Sequence, residues 1–131
     1  MMSNQRASDI MTSPVITVKK DMRLTDVIEL MLNKRIGAVM VVDDDDMVQG
    51  MISEFDVMNL AFDGHAMETT AGEAMSTHLI SFPPEASIEE LVSCCVSRRI
   101  RRIPIVKEGK LVGIVSRRDI LREIHKMYSR F

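Results

Sequence analysis

The eight residues GIVSRRDI (113–120) read as a strand running into a helix. Gly113, Ile114 and Val115 form an apolar run that stops at Ser116. Asp119 follows three residues later, ahead of a second apolar run. A serine with an acid at the third position marks a helix start. The hydroxyl satisfies a free N–H, and the carboxylate favours the positive end of the helix dipole. GMISEFDV (50–57) has the same skeleton, with Glu54 and Phe55 in the places of Arg117 and Arg118. One short chain therefore carries the same junction twice.

The duplication extends outward from both junctions. IMTSPVITV (10–18) aligns with AMSTHLISF (74–82), so Met11 falls on Met75, an offset of 64. That offset also pairs Leu24 with Ile88, Val27 with Leu91, Ile36 with Ile100 and Val41 with Ile105. After the turn DDDDM, answered by the shorter KEGK, the offset becomes 63 and pairs Gly50, Ser53 and Asp56 with Gly113, Ser116 and Asp119. A one-residue change at a hairpin turn is common.

Each copy predicts β-α-β-β-α. The first strands are expected at 15–18 and 79–82. The middle strands are expected at 38–42 and 103–106, and the last at 48–52 and 111–115. In the helix between first and middle strands, Leu24, Val27, Ile28 and Met31 recur at helical spacing, as do Ile88, Leu91, Val92 and Cys95. Ser87 and Glu90 form a capping box, whereas Arg23 predicts a weaker cap in the first copy. The chain divides into a tail (1–8), a first domain (9–62), a linker (63–73), a second domain (74–127) and a C-terminal tail (128–131). Units of ~55 to 65 residues are marginal alone, which predicts that the two pack sheet against sheet about a pseudo-twofold axis, with two related clefts. The fold class is α+β.

Composition narrows the function. Net charge is −2, but residues 1–64 hold 6 Lys and Arg against 11 Asp and Glu, while residues 65–131 hold 11 against 8. Anion-binding capacity therefore concentrates in the second half. An acidic chain with 4% aromatic residues lacks the basic field and stacking platform of a nucleic-acid binder. No apolar stretch approaches the ~18 residues of a membrane span. The polar start MMSNQRASD has no signal-peptide core. Cys94 and Cys95 are adjacent on a helix, a poor disulfide geometry, which predicts reduced thiols and a cytoplasmic protein.

The sequence resembles a tandem pair of cystathionine-beta-synthase (CBS) domains, the Bateman module. The resemblance lies in SPVITV and HLISF at the first strands, RIGAVMVVD and RIRRIPIVK at the middle strands, and GMISEFD and GIVSRRD at the last junctions. It covers residues 9–126 and rests on the order and duplication of motifs. It implies a regulatory, non-enzymatic module that binds AMP, ADP, ATP, NAD or S-adenosylmethionine in clefts between paired domains, requires no cofactor, and associates as a homodimer with a regulated protein.

Carried over by motif, the resemblance implies two nucleotide-binding sites. Site one joins Ile16, Gly37 and Ala38 to Ser116, Arg117, Arg118 and Asp119. Site two joins His78, Ile80, Arg101 and Arg102 to Ser53, Phe55 and Asp56. In each, the resemblance implies that the junction aspartate holds ribose and arginines take phosphate oxygens in paired bonds; main chain near Ile16 reads the base in site one, and Phe55 packs against the base or lines the wall in site two, with His78 near that base slot. Glu54 departs from a phosphate-binding pattern. The capping explanation of Ser-x-x-Asp needs no ligand and stands beside the functional one.

Other signals have plainer explanations. Arg98 and Arg99 suit a helix C-terminus, while Arg101 and Arg102 precede the middle strand. DDDD (43–46) lacks the glycine of a calcium loop and reads as a hairpin turn. His65, His78 and His125 have no partners at metal-ligand spacing, and no nucleophile elbow is present. Cys95 reads as core packing. A ligand-free dimerisation or protein-interaction module is the alternative function, and the clefts would then be filled by side chains.

Overall fold

The structure is a computed structural model that describes residues 4–129. The chain forms two compact units. Residues 16–79 make the first. The segment up to Val15, together with the chain from Ile80 onward, makes the second. The units in space therefore differ from contiguous sequence blocks, because the start of each repeat packs onto the other repeat's strands and helices. The expected tails 1–8 and 128–131 lie partly outside the described residues. Arg6 stands at the N-cap position of a helix that begins at Ala7, its N–H donating to Asp9 Oδ2 at 2.8 Å, and the last helix reaches Tyr128.

In the first unit, β1 (Thr17–Val18) leads to α2 (Leu24–Lys34), preceded in the chain by the short α1 (Ala7–Ile10) of the second unit. β2 (Ala38–Val42), β3 (Val48–Ser53), α3 (Glu54–Phe62), a 3-10 turn (Ala66–Glu68) and α4 (Ala71–Ala74) follow. The sheet order is β1-β2-β3, with β1 parallel and β3 antiparallel to β2. The stretch 63–73, expected as a linker, thus holds a 3-10 turn and most of α4. Leu24, Val27 and Met31 bury one stripe of α2 against Val39, Val41 and Ile52 of the sheet. Val39 to Val42 are all at or below 2% exposure, so β2 is covered on both faces. That explains its continuous apolar run.

The second unit repeats the plan with α5 (Ile88–Arg98), β4 (Arg102–Lys107), β5 (Lys110–Ser116) and α6 (Arg117–Tyr128). Its core gathers Ile88, Leu91, Cys94, Ile103, Ile105 and Val115. Cys94 is buried and Cys95 half-buried, and Cys95 packs against this core as the sequence reading expects. Both thiols are free. Corresponding irregularities recur 64 residues apart. Arg35 and Arg99 close their helices in the left-handed conformation, at φ 54° and 53°. The register slips at Val41/Val42 and again at Ile105/Val106.

The first strands are shorter than expected. β1 spans two residues, and the predicted strand at 79–82 reduces to a parallel bridge between Phe82 and Ile105. Phe82 still makes both ladder bonds, its N–H donating to Pro104 at 3.1 Å and its carbonyl accepting from Val106 at 2.9 Å. Pro83 follows and has no N–H with which to continue the ladder.

The turn Asp43–Asp46 is held by its own first side chain. Oδ1 of Asp43 accepts from the N–H groups of Asp45 (2.8 Å) and Met47 (2.9 Å), and Lys19 Nζ donates to the Asp43 carbonyl at 2.7 Å. The second hairpin turns at Glu108 and Gly109, both at positive φ, the geometry of a tight two-residue turn.

Candidate functional site

Each strand-to-helix junction forms a closed hydrogen-bonded box. In the second unit, Ser116 N–H donates to Asp119 Oδ2 at 2.8 Å, and Asp119 N–H donates to Ser116 Oγ at 3.2 Å. In the first, Ser53 N–H and Ser53 Oγ–H donate to Asp56 Oδ2 at 2.8 and 3.0 Å, and Asp56 N–H returns to Ser53 Oγ at 3.2 Å. The capping role inferred from sequence is therefore what these side chains perform. A box of this kind satisfies two helix-end donors at once.

The first residue of each helix is tied to the start of the middle strand. Arg117 N–H donates to the Arg101 carbonyl at 3.1 Å, and Glu54 N–H donates to the Gly37 carbonyl at 3.0 Å. Ladder pairing places Arg102 opposite Ser116 and Ala38 opposite Ser53. The sheet thus assembles Arg101, Arg102, Ser116, Arg117, Arg118 and Asp119 within the second unit, and Gly37, Ala38, Ser53, Phe55 and Asp56 within the first. The N–H of the second helical residue, Arg118 or Phe55, donates to nothing among the described residues. Each junction therefore keeps one main-chain donor at the positive end of a helix.

The two junctions differ in charge and in the freedom of the acid. The second carries four arginines: Arg101, Arg117 and Arg118 are exposed, and Arg102 is half-buried and partnered. The first carries Glu54 and no cation. Asp119 Oδ1 accepts from Arg122 Nη1 at 2.8 Å, and the Asp119 side chain is 10% exposed. Both its oxygens are thus engaged. Asp56 Oδ1 accepts nothing among the described residues, so the first junction offers the freer carboxylate oxygen. Arg122 was not singled out from the sequence. Its signal is the i, i+3 spacing from Asp119, which Asn59 breaks in the first repeat.

Phe55 is 68% exposed. His78 is exposed, and Ile16 is half-buried in the first unit. Ile80 packs against the core of the second unit and, with Phe82, Ser93, Cys94 and Arg98, lines a groove of about 580 Å³ beside α5. A second depression, of about 410 Å³, lies on α6 and includes Arg118. No helix of the described residues is long and apolar enough to cross a membrane. The described residues bring together no group of three His, Cys, Asp or Glu able to hold a metal.

Comparison with known proteins bears on the same elements. The CBS domain family matches residues 7–63 and again 71–126. Hypoxic response protein 1 of Mycobacterium tuberculosis is 33% identical over 120 residues, 90% of this chain and 84% of that protein. CBS domain-containing protein YhcV of Bacillus subtilis is 34% identical over 113 residues, 86% of this chain and 80% of that one. Among solved structures, Hypoxic Response Protein I with two coordinated zinc ions superposes with a TM-score of 0.80 at 32% identity, covering 90% of this chain and 98% of its own. CBSX2 of Arabidopsis thaliana, in complex with AMP, gives a TM-score of 0.87 at 23% identity over 95% and 98% of the two chains.

Proposed function

The chain belongs to the CBS domain family as a tandem pair of repeats, and from that premise we propose that it is a regulatory sensor of an adenosine-containing ligand rather than an enzyme. Asp56 and Asp119 accept hydrogen bonds from ribose hydroxyls. The free N–H groups at Phe55 and Arg118 and the arginines at 101, 102, 117 and 118 take phosphate. Main chain around Ile16, His78 and Ile80 reads the base, and Gly37 and Ala38 leave room. The protein acts in the cytoplasm as a homodimer and passes the binding event to a regulated protein.

The observation that carries this reading is the Arg117 N–H to Arg101 carbonyl bond at 3.1 Å. It brings two arginine pairs, separated in sequence, to one helix start that also holds a ribose-competent acid. AMP in CBSX2, a protein of the same fold, supports the ligand class. The junction of the first unit has an acid and an open donor but no cation, which supports a preference for phosphate at the arginine-rich junction.

Ligand binding to the native state raises the melting temperature, by about 2.7 kcal/mol of stability at a hundred times Kd. A melting panel with AMP, ADP, ATP, NAD and S-adenosylmethionine tests the reading. At least one ligand should shift the midpoint, and Arg102→Ala should weaken phosphorylated ligands far more than adenosine. No shift with any of the five would favour the ligand-free interaction module instead.

A further inference from the structure

The two junction acids differ in what already holds them. Asp119 Oδ2 accepts from the Ser116 N–H at 2.8 Å, and Oδ1 accepts from Arg122 Nη1 at 2.8 Å. The Asp119 side chain is 10% exposed, so few directions remain from which another donor reaches it. In the first unit Ser53 alone engages Asp56, through Oδ2, and Oδ1 accepts from nothing among the described residues. One position separates the two arrangements. Arg122 stands three residues after Asp119, and Asn59 stands three residues after Asp56. The Arg122 side chain is 65% exposed and lines one depression with Arg118 and Lys126. It therefore meets the junction acid on one side and any anion drawn to those cations on the other.

Resting on the ligand reading above, we infer that Arg122 is a specificity-determining residue that makes binding at the second junction depend on a phosphate. A ribose hydroxyl arriving at Asp119 shares Oδ1 with a guanidinium that already balances its charge, so this carboxylate is a weaker acceptor than Asp56. An unphosphorylated nucleoside offers Arg122 nothing in exchange. A phosphate monoester does, because a guanidinium takes phosphate oxygens in paired bonds as it takes a carboxylate. Arg122 then passes from Asp119 to the phosphate, and the freed Oδ1 takes the ribose hydroxyl. An exposed ion pair of this kind holds by a factor of no more than about five, weak enough to be exchanged. The first junction has Asn59 in place of Arg122 and Glu54 in place of Arg117, and takes the nucleoside without that requirement.

Calorimetric titration with adenosine and with AMP tests it. An Asp56→Ala chain isolates the second junction and is compared with the same chain carrying Arg122→Ala. Removing Arg122 should tighten adenosine by about two- to fivefold and should not tighten AMP, so the preference for AMP falls. 2′-Deoxyadenosine, which lacks one hydroxyl of the diol, should gain less than adenosine. Lys126→Ala removes the same charge from the same helix but no bond to Asp119, and should leave adenosine unchanged. Arg122→Gln in the otherwise natural chain repeats the comparison without either alanine, and melting curves confirm that each variant is folded. Adenosine binding that is unchanged or weaker without Arg122, or an equal change for adenosine and AMP, overturns the role of Arg122 and leaves the ligand reading intact. So does AMP binding that Asp56→Ala alone abolishes. A natural chain that binds neither probe also overturns this inference, and one that binds none of the other ligands of the melting panel overturns the ligand reading with it.

Discussion

Met11 and Gly113 are in contact although they lie in different sequence repeats, and Gly113 is glycine because the methionine occupies the space of its side chain. A Cβ placed on Gly113 stands 2.7 Å from Met11 Cγ. Met75 and Gly50 reproduce the arrangement in the other unit, where a Cβ stands 2.8 Å from both Met75 Cγ and the Ser76 carbonyl oxygen. The next residue on each strand binds the same incoming segment. Ile114 and Thr12 exchange two main-chain hydrogen bonds at 2.8 and 3.1 Å, and Met51 and Ser76 do so at 2.8 and 3.0 Å. Each repeat therefore opens by covering the last strand of the other.

This contact predicts unequal costs for the same substitution. At Gly113 the nearest obstructing atoms all belong to the flexible Met11 side chain, whereas at Gly50 one is main chain. Overpacking costs ~1 to 3 kcal/mol. Gly50→Ala should fall at the upper end and Gly113→Ala at the lower. Met11→Ala should recover most of the Gly113→Ala loss, but Met75→Ala only part of the Gly50→Ala loss. Urea denaturation of the singles and doubles measures both couplings. Equal, complete rescue in both units would refute the assignment.

The sequence already contained both pairs, since Met11 aligns with Met75 and Gly50 with Gly113. It did not contain their crossing. Periodicity shows which face of an element is apolar, not which copy of a repeated segment covers it. The junctions were legible because Ser-x-x-Asp acts locally, within one helical turn. The closeness of Arg101 to Arg117 depends on ladder register, which emerges only when β4 and β5 pair. Cys95 packs against the core as its helical spacing indicates, while Cys94, about 100° away around the helix, is the more buried of the pair.

Arg35 and Arg99 occupy the left-handed helix-ending position that glycine adopts without strain. A side chain there costs roughly 1 to 2 kcal/mol, partly offset because glycine is freer in the unfolded chain. Arg35→Gly and Arg99→Gly should each therefore stabilise the protein, by up to ~1 kcal/mol, read as a higher denaturant midpoint with unchanged slope. A lower midpoint would mean that these arginines make contributions beyond helix closure.

The junction acids serve the helix and, in the proposed function, the ligand, and the two roles can be separated. Ser116→Ala removes the cap hydroxyl but keeps the carboxylate, at a cost of about 1 kcal/mol. Ser53→Ala should cost more, because Ser53 Oγ also donates to Asp56 Oδ2 at 3.0 Å. Each serine variant should retain most of the ligand-induced melting shift measured against its own unliganded baseline. Asp56→Ala and Asp119→Ala together should abolish it. A shift that survives the double aspartate change would confine Ser-x-x-Asp to capping.

Cys95 gives the protein a pH dependence in the alkaline range. Burial, first, and the neighbouring Cys94 raise its thiol above the ordinary value of 9.0, while Arg117 draws it down. The folded state therefore prefers the neutral thiol more strongly than the unfolded chain does. The stabilising contribution is complete below pH 9.0 and is lost as pH climbs through the raised folded value. Melting midpoints should fall in that range, and Cys95→Ala should flatten this part of the fall. Since the thiolate is the nucleophile, iodoacetamide should modify Cys95 more slowly than a free peptide thiol at mildly alkaline pH. Arg117→Ala should slow it further by removing the opposing attraction. Peptide mapping of the alkylation time course reads both rates, and modification of Cys95 as fast as the free thiol would contradict the raised value.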